Sequence, residues 1–341
     1  KMMPTNRRFL LERRPNGVPA LADFRLAEAP VPVPGDGEFV VRTIYASLDP
    51  AMRGWLDDAP SYMPPIPLGD AVRASTVGRV AASRNADFPD GAWVSGLGAI
   101  EEYSLAQAGG FMRRVDPDAV PSPSNYLSVL GAVGMTAYFG VVDVLAAKAG
   151  QTLLVSGAAG AVGSLVGQIG KILGCRTIGI AGGPEKIARL TRDYKYDVGI
   201  DYRGKDRVTL EREIRAAAPD GVDLVFENVG GDILDATLSC LSPHATIALC
   251  GLISEYNSPE KIGARQLWQL IVHRASIRGF LVSDYLARFE EGGAQMAAWM
   301  QEGKLRFDEH IDHGIENALP AFLRLFDGTN EGKMILQIGE P

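Results

Sequence analysis

The residues Val155-Ser156-Gly157-Ala158-Ala159-Gly160-Ala161-Val162-Gly163 constrain this chain more than any other stretch. They come after a strand-like run, Thr152-Leu153-Leu154-Val155, and lead into a helix-like run ending near Gly174. Glycine at 157, 160 and 163 clears side chains from the point where a strand turns sharply into a helix. The N–H groups at the helix N-terminus are then open to close approach by an anion. That is the cradle of a dinucleotide pyrophosphate. A loose glycine triplet also serves plain turns; the strand before it and the helix after it turn this one into a nucleotide signal.

The residues just past the second strand narrow the choice of nucleotide. Sites that read NAD place an Asp or Glu about 20 residues on, where it holds the ribose 2′-hydroxyl. Here the second strand, Arg176-Thr177-Ile178-Gly179-Ile180-Ala181, runs into Gly182-Gly183-Pro184-Glu185-Lys186 with no acid at its end. A glycine pocket followed by a cation points to the extra phosphate of NADP(H). Lys186 is the candidate for that phosphate, its alternative being a solvated helix lysine. Glu185 is expected to face solvent or the positive end of the helix dipole.

The texture on either side sets the organisation. From about residue 125, helical patterns (126–146, 161–173, 184–193, 207–217, 232–241, 259–273, 284–301) alternate with strand candidates (152–156, 176–181, 198–201, 222–226, 245–250, 277–282). Such β-α alternation predicts one complete doubly wound parallel sheet, with right-handed crossovers, in an α/β fold. Residues 1–124 are β-rich and punctuated by proline, with strand candidates at 38–44, 75–80 and 92–96, as in a small barrel or rolled sheet. The alternating run Lys333 to Ile338 is expected to return to that first domain as a strand. The predicted domains are therefore 1–124 with 302–341, and 125–301.

In an open α/β sheet, ligands bind beyond the carboxyl ends of the strands. The residues there are Gly157 to Gly163, Gly182 to Lys186, Tyr202, Glu227 to Gly231, Gly251 to Asn257, and Val282 to Asp284.

The bulk numbers remove other function classes. A net charge of -7 argues against nucleic acid or an anionic membrane as the main partner. No run of eighteen apolar residues marks a membrane span, and no apolar signal core succeeds the basic first residues. Three scattered cysteines, Cys175, Cys240 and Cys250, suit a reducing cytoplasm and cannot form a structural zinc quartet. His310 and His313, set among Asp308, Glu309 and Asp312, read as a solvated charged turn. No metal is expected.

Several blocks together resemble a known family. They are Gly-Met-Thr-Ala-Tyr (134–138), Ala-Ala-Gly-Ala-Val-Gly-Ser (158–164), Glu-Asn-Val-Gly-Gly (227–231), Cys-Gly-Leu-Ile-Ser-Glu-Tyr-Asn (250–257) and Glu-Gly-Lys (331–333). The chain is similar in these to the zinc-independent medium-chain dehydrogenases/reductases. Within them it resembles the branch of leukotriene B4 12-hydroxydehydrogenase, prostaglandin reductase and plant double-bond reductase. The resemblance covers nearly the whole chain, and the 250–257 block is its most branch-specific part. It implies a GroES-like β-barrel catalytic domain beside a Rossmann NADP-binding domain, and a homodimer. It also implies NADPH-dependent reduction of the carbon–carbon double bond of α,β-unsaturated ketones or aldehydes.

By the same motif match, Lys186 and Tyr202 would bind the 2′-phosphate end. Asn228, Cys250, Tyr256, Phe280, Leu281, Val282 and Asn330 would flank the ribose and nicotinamide. Met135, Thr136, Gly157, Gly160, Ala161, Val162, Gly163, Gly182 and Gly251 complete the expected cofactor set. Two departures stand out. Ala51, in Leu-Asp-Pro-Ala-Met-Arg-Gly (48–54), replaces a tyrosine that lines the substrate pocket in relatives, and Gly183 stands where the branch often has serine. Met52 and Tyr62, in an aromatic- and proline-rich loop, are the candidate pocket residues, with packing as their alternative.

Reduction of an alkene beside a carbonyl needs hydride at the β-carbon, a donor for the developing enolate oxygen, and a proton at the α-carbon. A phenol suits the oxygen, because it donates a hydrogen bond while neutral at pH 7, its reference pKa being about 10. Tyr256 is the candidate, its alternative being to pack on the cofactor. Cys250, after a buried-type strand, reads as a small core residue. Two rival functions share the nucleotide site: a quinone reductase, and a protein that binds NADPH without turnover as a sensor.

Overall fold

The computed structural model describes residues 4–107 and 109–341. Contacts divide the chain into two compact units, Lys1–Leu127 with Glu309–Pro341, and Ser128–Asp308.

Strands numbered along the chain build the first unit: β1 (Thr5–Leu11), β2 (Phe24–Pro30), β3 (Glu38–Ser47), β4 (Arg73–Ser83), β5 (Trp93–Ala99), β6 (Tyr103–Gln107), β7 (Arg113–Arg114), β14 (Glu309–His313) and β15 (Lys333–Gln337). The large sheet runs β14-β15-β3-β4-β5-β7, with β6 also on β3, while β1 and β2 form a separate antiparallel pair. The tail does return: β15 lies antiparallel to β3, Leu336 opposite Ala46. Alternation explains it, since Met334 and Leu336 join a core that includes Phe9, Leu11, Leu48 and Ile66, while Ile335 between them is buried outside that cluster.

The short helix α1 (Met52–Trp55) and the amphipathic helix α9 (Ala318–Asp327) cover this core through Met52, Ala318, Leu319, Ala321 and Phe322. The expected charged turn around His310 is instead β14, parallel to β15, with His310 Nδ1 accepting the Glu331 N–H at 3.1 Å. A strand whose side chains are nearly all polar and half-buried carries no apolar alternation to betray it.

The second unit is a six-stranded parallel sheet in the order β10-β9-β8-β11-β12-β13. Its strands are β8 (Thr152–Ser156), β9 (Arg176–Ala181), β10 (Val198–Asp201), β11 (Val222–Glu227), β12 (Leu241–Leu249) and β13 (Ser276–Gly279). Helices α2 (Ala132–Phe139), α3 (Ala161–Ile172), α4 (Pro184–Arg192), α5 (Arg207–Ala217), α6 (Gly231–Leu238), α7 (Trp268–His273) and α8 (Phe289–Gln301) complete it. The order reverses at β8, which pairs with β9 on one side and β11 on the other, so the glycine run after β8 opens at the switch point.

Some elements are shorter than the periodicity suggests. The helix expected over 259–273 is only α7, because Pro259 and Gly263, at φ +74°, interrupt it. The one expected over 126–146 is a 3-10 turn to Leu127, then α2, then a π turn, Gly140–Val144. β12 starts at Leu241, ahead of the expected 245. Among the described residues no helix is long and apolar enough to cross a membrane.

Candidate active site

The carboxyl ends of the parallel strands carry a dense set of backbone constraints. Gly157 leaves β8 at φ +61°, a left-handed conformation that favours glycine. Gly160 caps α3 in extended geometry, and Ala161, Val162 and Gly163 form the first turn. A Cβ on Gly163 would overlap the Gly157 carbonyl oxygen and lie 2.9 Å from Ala158 Cα, so the helix start and the strand exit touch through backbone alone. Tyr196 secures the far side of that turn, its hydroxyl donating to Gly163 O at 2.7 Å.

Next to it, the ends of β8 and β11 are joined. Ser156 Oγ donates to Glu227 Oε1 at 2.7 Å and accepts the Asn228 N–H at 2.9 Å. Asn228 Nδ2 donates to Ser156 O at 2.8 Å. Glu227 Oε1 also accepts the N–H groups of Val229 (2.8 Å) and Gly230 (2.9 Å). Burial pushes the Glu227 carboxyl above the usual range, opposed by the Ser156 hydroxyl and these amides. Its second oxygen, Oε2, has no hydrogen-bond partner among the described residues. The backbone oxygen of Glu227 then accepts from Cys250 N (2.9 Å) and Gly251 N (3.1 Å), tying in the end of β12.

The 250–257 block folds back on itself. After a 3-10 turn, Ile253–Glu255, the Tyr256 hydroxyl oxygen accepts the Leu252 N–H at 3.1 Å. A Cβ on Gly251 would lie 2.8 Å from that hydroxyl and 3.5 Å from Asn228 O, so glycine there lets the phenol reach the β11 and β12 ends. The Cys250 thiol is pushed up to about 12 by burial and by the nearby Glu227, which makes it a poor nucleophile at neutral pH.

A third cluster lies at the ends of β9 and β10. The Asp201 carboxylate accepts the N–H of Gly183 and of Arg203, each at 3.0 Å. These two bonds hold its carboxyl below the usual range. A Cβ on Gly182 would meet the Tyr202 ring at 2.9 Å and Arg203 Nε at 3.0 Å. Lys186 sits in the first turn of α4, which opens at Pro184.

Other expected residues lie elsewhere. Met135 is buried in the core of the second unit, and Thr136 Oγ1 donates to Ala132 O within α2 at 2.7 Å. Phe280 packs edge-on to Phe226 at 5.9 Å, just past β13, where Leu281 and Val282 lead into a 3-10 segment. In the first unit, Met52 is 2% exposed and packs inward, Tyr62 is exposed and edge-on to Trp55, and Asn330 Nδ2 donates to Gly332 O at 2.9 Å. Ser156 and Arg203 have no local signal in the sequence to mark them, and Glu227 stands out there only as a strand-end residue.

The glycine cradle at β8 is a gap that side chains would fill, and the β9 end offers cations in place of a carboxylate. Both fit a phosphorylated dinucleotide. Among the described residues no group of three or more His, Cys, Asp or Glu side chains is placed to hold a metal ion.

Comparison with known proteins agrees along the whole chain. Residues 7–113 match the family model described as the N-terminal domain of oxidoreductase, and residues 161–300 match the one described as zinc-binding dehydrogenase. The chain is 39% identical to the NADPH-dependent curcumin reductase of Escherichia coli, covering 98% of this chain and 97% of that protein. It is 35% identical to the NADP-dependent 2-alkenal reductase of Nicotiana tabacum, covering 98% of each. The solved structure of CurA from Vibrio vulnificus in complex with NADPH superposes with a TM-score of 0.92 at 39% identity, over 98% of this chain and 100% of that one. The chain therefore belongs to the zinc-independent medium-chain dehydrogenases/reductases, in the branch of the alkenal and prostaglandin reductases, and is an NADP-dependent oxidoreductase.

Proposed function

We propose that the protein reduces the carbon–carbon double bond of α,β-unsaturated ketones or aldehydes, with Tyr256 as the donor to the developing enolate oxygen. In this reading unit Ser128–Asp308 binds NADP(H), and the unit formed by the two chain ends is the GroES-like catalytic domain. The observation that carries the role of Tyr256 is its held position past the end of β12: its oxygen accepts the Leu252 N–H at 3.1 Å, and a neutral phenol is a donor as well as an acceptor. Donation from backbone to the phenol oxygen also polarises the O–H. The names of relatives, an alkenal reductase and a curcumin reductase, support the substrate class.

Gly157 to Gly163 would take the pyrophosphate on the N-terminus of α3, and Gly182, Lys186 and Tyr202 the adenosine end. Asn228, Cys250, Gly251, Phe280, Leu281 and Val282 would flank the nicotinamide half. When bound, NADPH supplies hydride to the β-carbon. The chain's own share is electrostatic: a preorganised phenol meets charge where it develops, and losing one such donor typically costs roughly 10²–10³ in rate. Asn228, whose Nδ2 donates to Ser156 O, ties the β11 loop to the β8 exit.

We also place the protein in a reducing cytoplasm, on its three free cysteines, and assign it a homodimer. β13 is an edge strand, and beside it in sequence α7 exposes Trp268 (67%) and Ile271 (64%), an apolar face that a second copy would cover.

The test is Tyr256→Phe, assayed at saturating NADPH with an alkenone, a quinone and no acceptor. The expected result is alkenone turnover down by roughly 10²-fold with NADPH affinity retained. Unchanged alkenone turnover removes the enolate role, and wild-type turnover with the quinone alone establishes the rival activity.

A further inference from the structure

At the end of β9, where an NAD enzyme carries an acid, this chain presents an arginine from the neighbouring strand. Gly182 and Gly183 have no side chains, and Arg203 occupies the space they leave. An ideal Cβ on Gly182 would lie 3.0 Å from Arg203 Nε, and one on Gly183 would lie 3.1 Å from Arg203 Nη1. A Cβ at either position would crowd the guanidinium and force it to shift by a few tenths of an ångström. Gly183 also sits at φ +94°, where other residues are strained.

The nearest acid that could take a ribose hydroxyl is withdrawn from that job. Asp201 ends β10, in register with Ala181 at the end of β9. Its Oδ1 accepts the N–H groups of Gly183 and Arg203, so it staples the glycine turn to the arginine turn. This β10 carboxylate is thus a backbone anchor that holds the glycine turn against the arginine turn. Among the described residues Arg203 forms no ion pair with a carboxylate, while the neighbouring Lys205 is paired with Glu213 at 2.8 Å. The other charged groups on this end are Lys186 and Glu185, both in the first turn of α4.

We infer that Arg203, laid over Gly182 and Gly183, recognises the adenosine 2′-phosphate and sets the preference for NADP(H) over NAD(H), with Asp201 as its positioning residue. A guanidinium offers two parallel N–H donors to phosphate oxygens and keeps its charge at every working pH, which a single lysine ammonium does not match in geometry. The inference rests on the proposed placement of the adenosine end at β9, and separate variants distinguish a failure of one from a failure of the other.

Binding of NADPH, NADH, 2′,5′-ADP and 5′-AMP is measured by calorimetry on the intact protein carrying Arg203→Gln, Arg203→Lys or Lys186→Gln. Arg203 is exposed, so its variants are expected to keep the wild-type thermal midpoint. Arg203→Gln should weaken NADPH and 2′,5′-ADP by roughly tenfold or more, leave NADH and 5′-AMP within about twofold, and flatten the salt dependence of NADPH binding. Arg203→Lys should recover part of the loss. Equal weakening of all four ligands by Arg203→Gln would overturn the inference, because the arginine would then be stacking on adenine. If Lys186→Gln lowers the NADPH/NADH ratio and Arg203→Gln does not, the inference fails while the β9 location stands. If neither variant changes the ratio, the location itself fails.

Discussion

Ser156 Oγ donates to Glu227 Oε1 at 2.7 Å, a bond between residues 71 apart in sequence at the ends of adjacent parallel strands. Through it the β8 exit, which opens the glycine cradle, is fastened to the β11 loop, whose Val229 and Gly230 N–H groups converge on the same oxygen. One carboxylate thus organises both lips of the switch point from a position with no solvent exposure.

Removing that carboxylate should cost both stability and binding. Glu227→Ala leaves a hydroxyl and two amides without their acceptor in a dry site, an expected loss of about 3–5 kcal/mol. Glu227→Gln keeps an oxygen for those three donors and removes the buried charge, so it should stay close to wild type. The pH dependence has a definite sign. Burial raises the native carboxyl above its unfolded value, so the native state binds the extra proton between the two values, and wild-type stability falls as pH rises through that window. Glutamine does not titrate. Denaturant unfolding at several pH values should therefore show Glu227→Gln gaining on wild type as pH rises, and a pH-independent difference would contradict the assignment.

The cradle itself gives a sharper substitution. Gly163→Ala would place a Cβ inside the Gly157 carbonyl oxygen and 2.9 Å from Ala158 Cα, and both obstacles are backbone. The strand exit and helix start must then separate. NADPH affinity should drop by at least tenfold, and stability by about 1–3 kcal/mol for overpacking. Gly293→Ala, on α8, where an added Cβ meets nothing within 4 Å, is the control: it should leave NADPH affinity unchanged and raise stability by about 0.5–1 kcal/mol through helix propensity. Fluorescence titration with NADPH, alongside thermal unfolding, reads the pair.

Much of the fold and the cradle is visible in the residues alone, for a physical reason. Gly157, Gly160 and Gly163 mark backbone contacts that admit no side chain, and Thr152 to Val155 is an apolar run too short for a helix, so both signals are local. The returning tail strand is legible because Met334 and Leu336 alternate into a core. The features that escape are non-local or polar. Glu227 meets Ser156 only after the sheet forms, and Arg203 reaches Gly182 only across two strand ends. β14 hides because its side chains pair by charge, as Asp312 does with Arg324 at 2.9 Å. Met52 reads as a pocket residue by its neighbours in sequence, but in its own unit it faces the core.

The segment that carries Met52 is held from the other end of the chain, and that predicts a distant effect. Lys333 is 2% exposed, and its ammonium donates to Leu48 O (2.8 Å), Asp49 Oδ1 (2.9 Å) and Met334 O (3.1 Å). Three acceptors match the three protons of the ammonium, which offsets the cost of burying the charge. The Leu48–Asp49 backbone, which leads into Ala51 and Met52, is thereby pinned to β15. Lys333→Met fills the volume but abandons a partly buried carboxylate and two carbonyl oxygens, so stability should fall by about 3–5 kcal/mol. The double variant Lys333→Met, Asp49→Asn removes the stranded charge and should recover part of that loss. If the single variant unfolds at the wild-type denaturant midpoint, the lysine is a passenger in the core, and the 48–54 segment owes its position to packing alone.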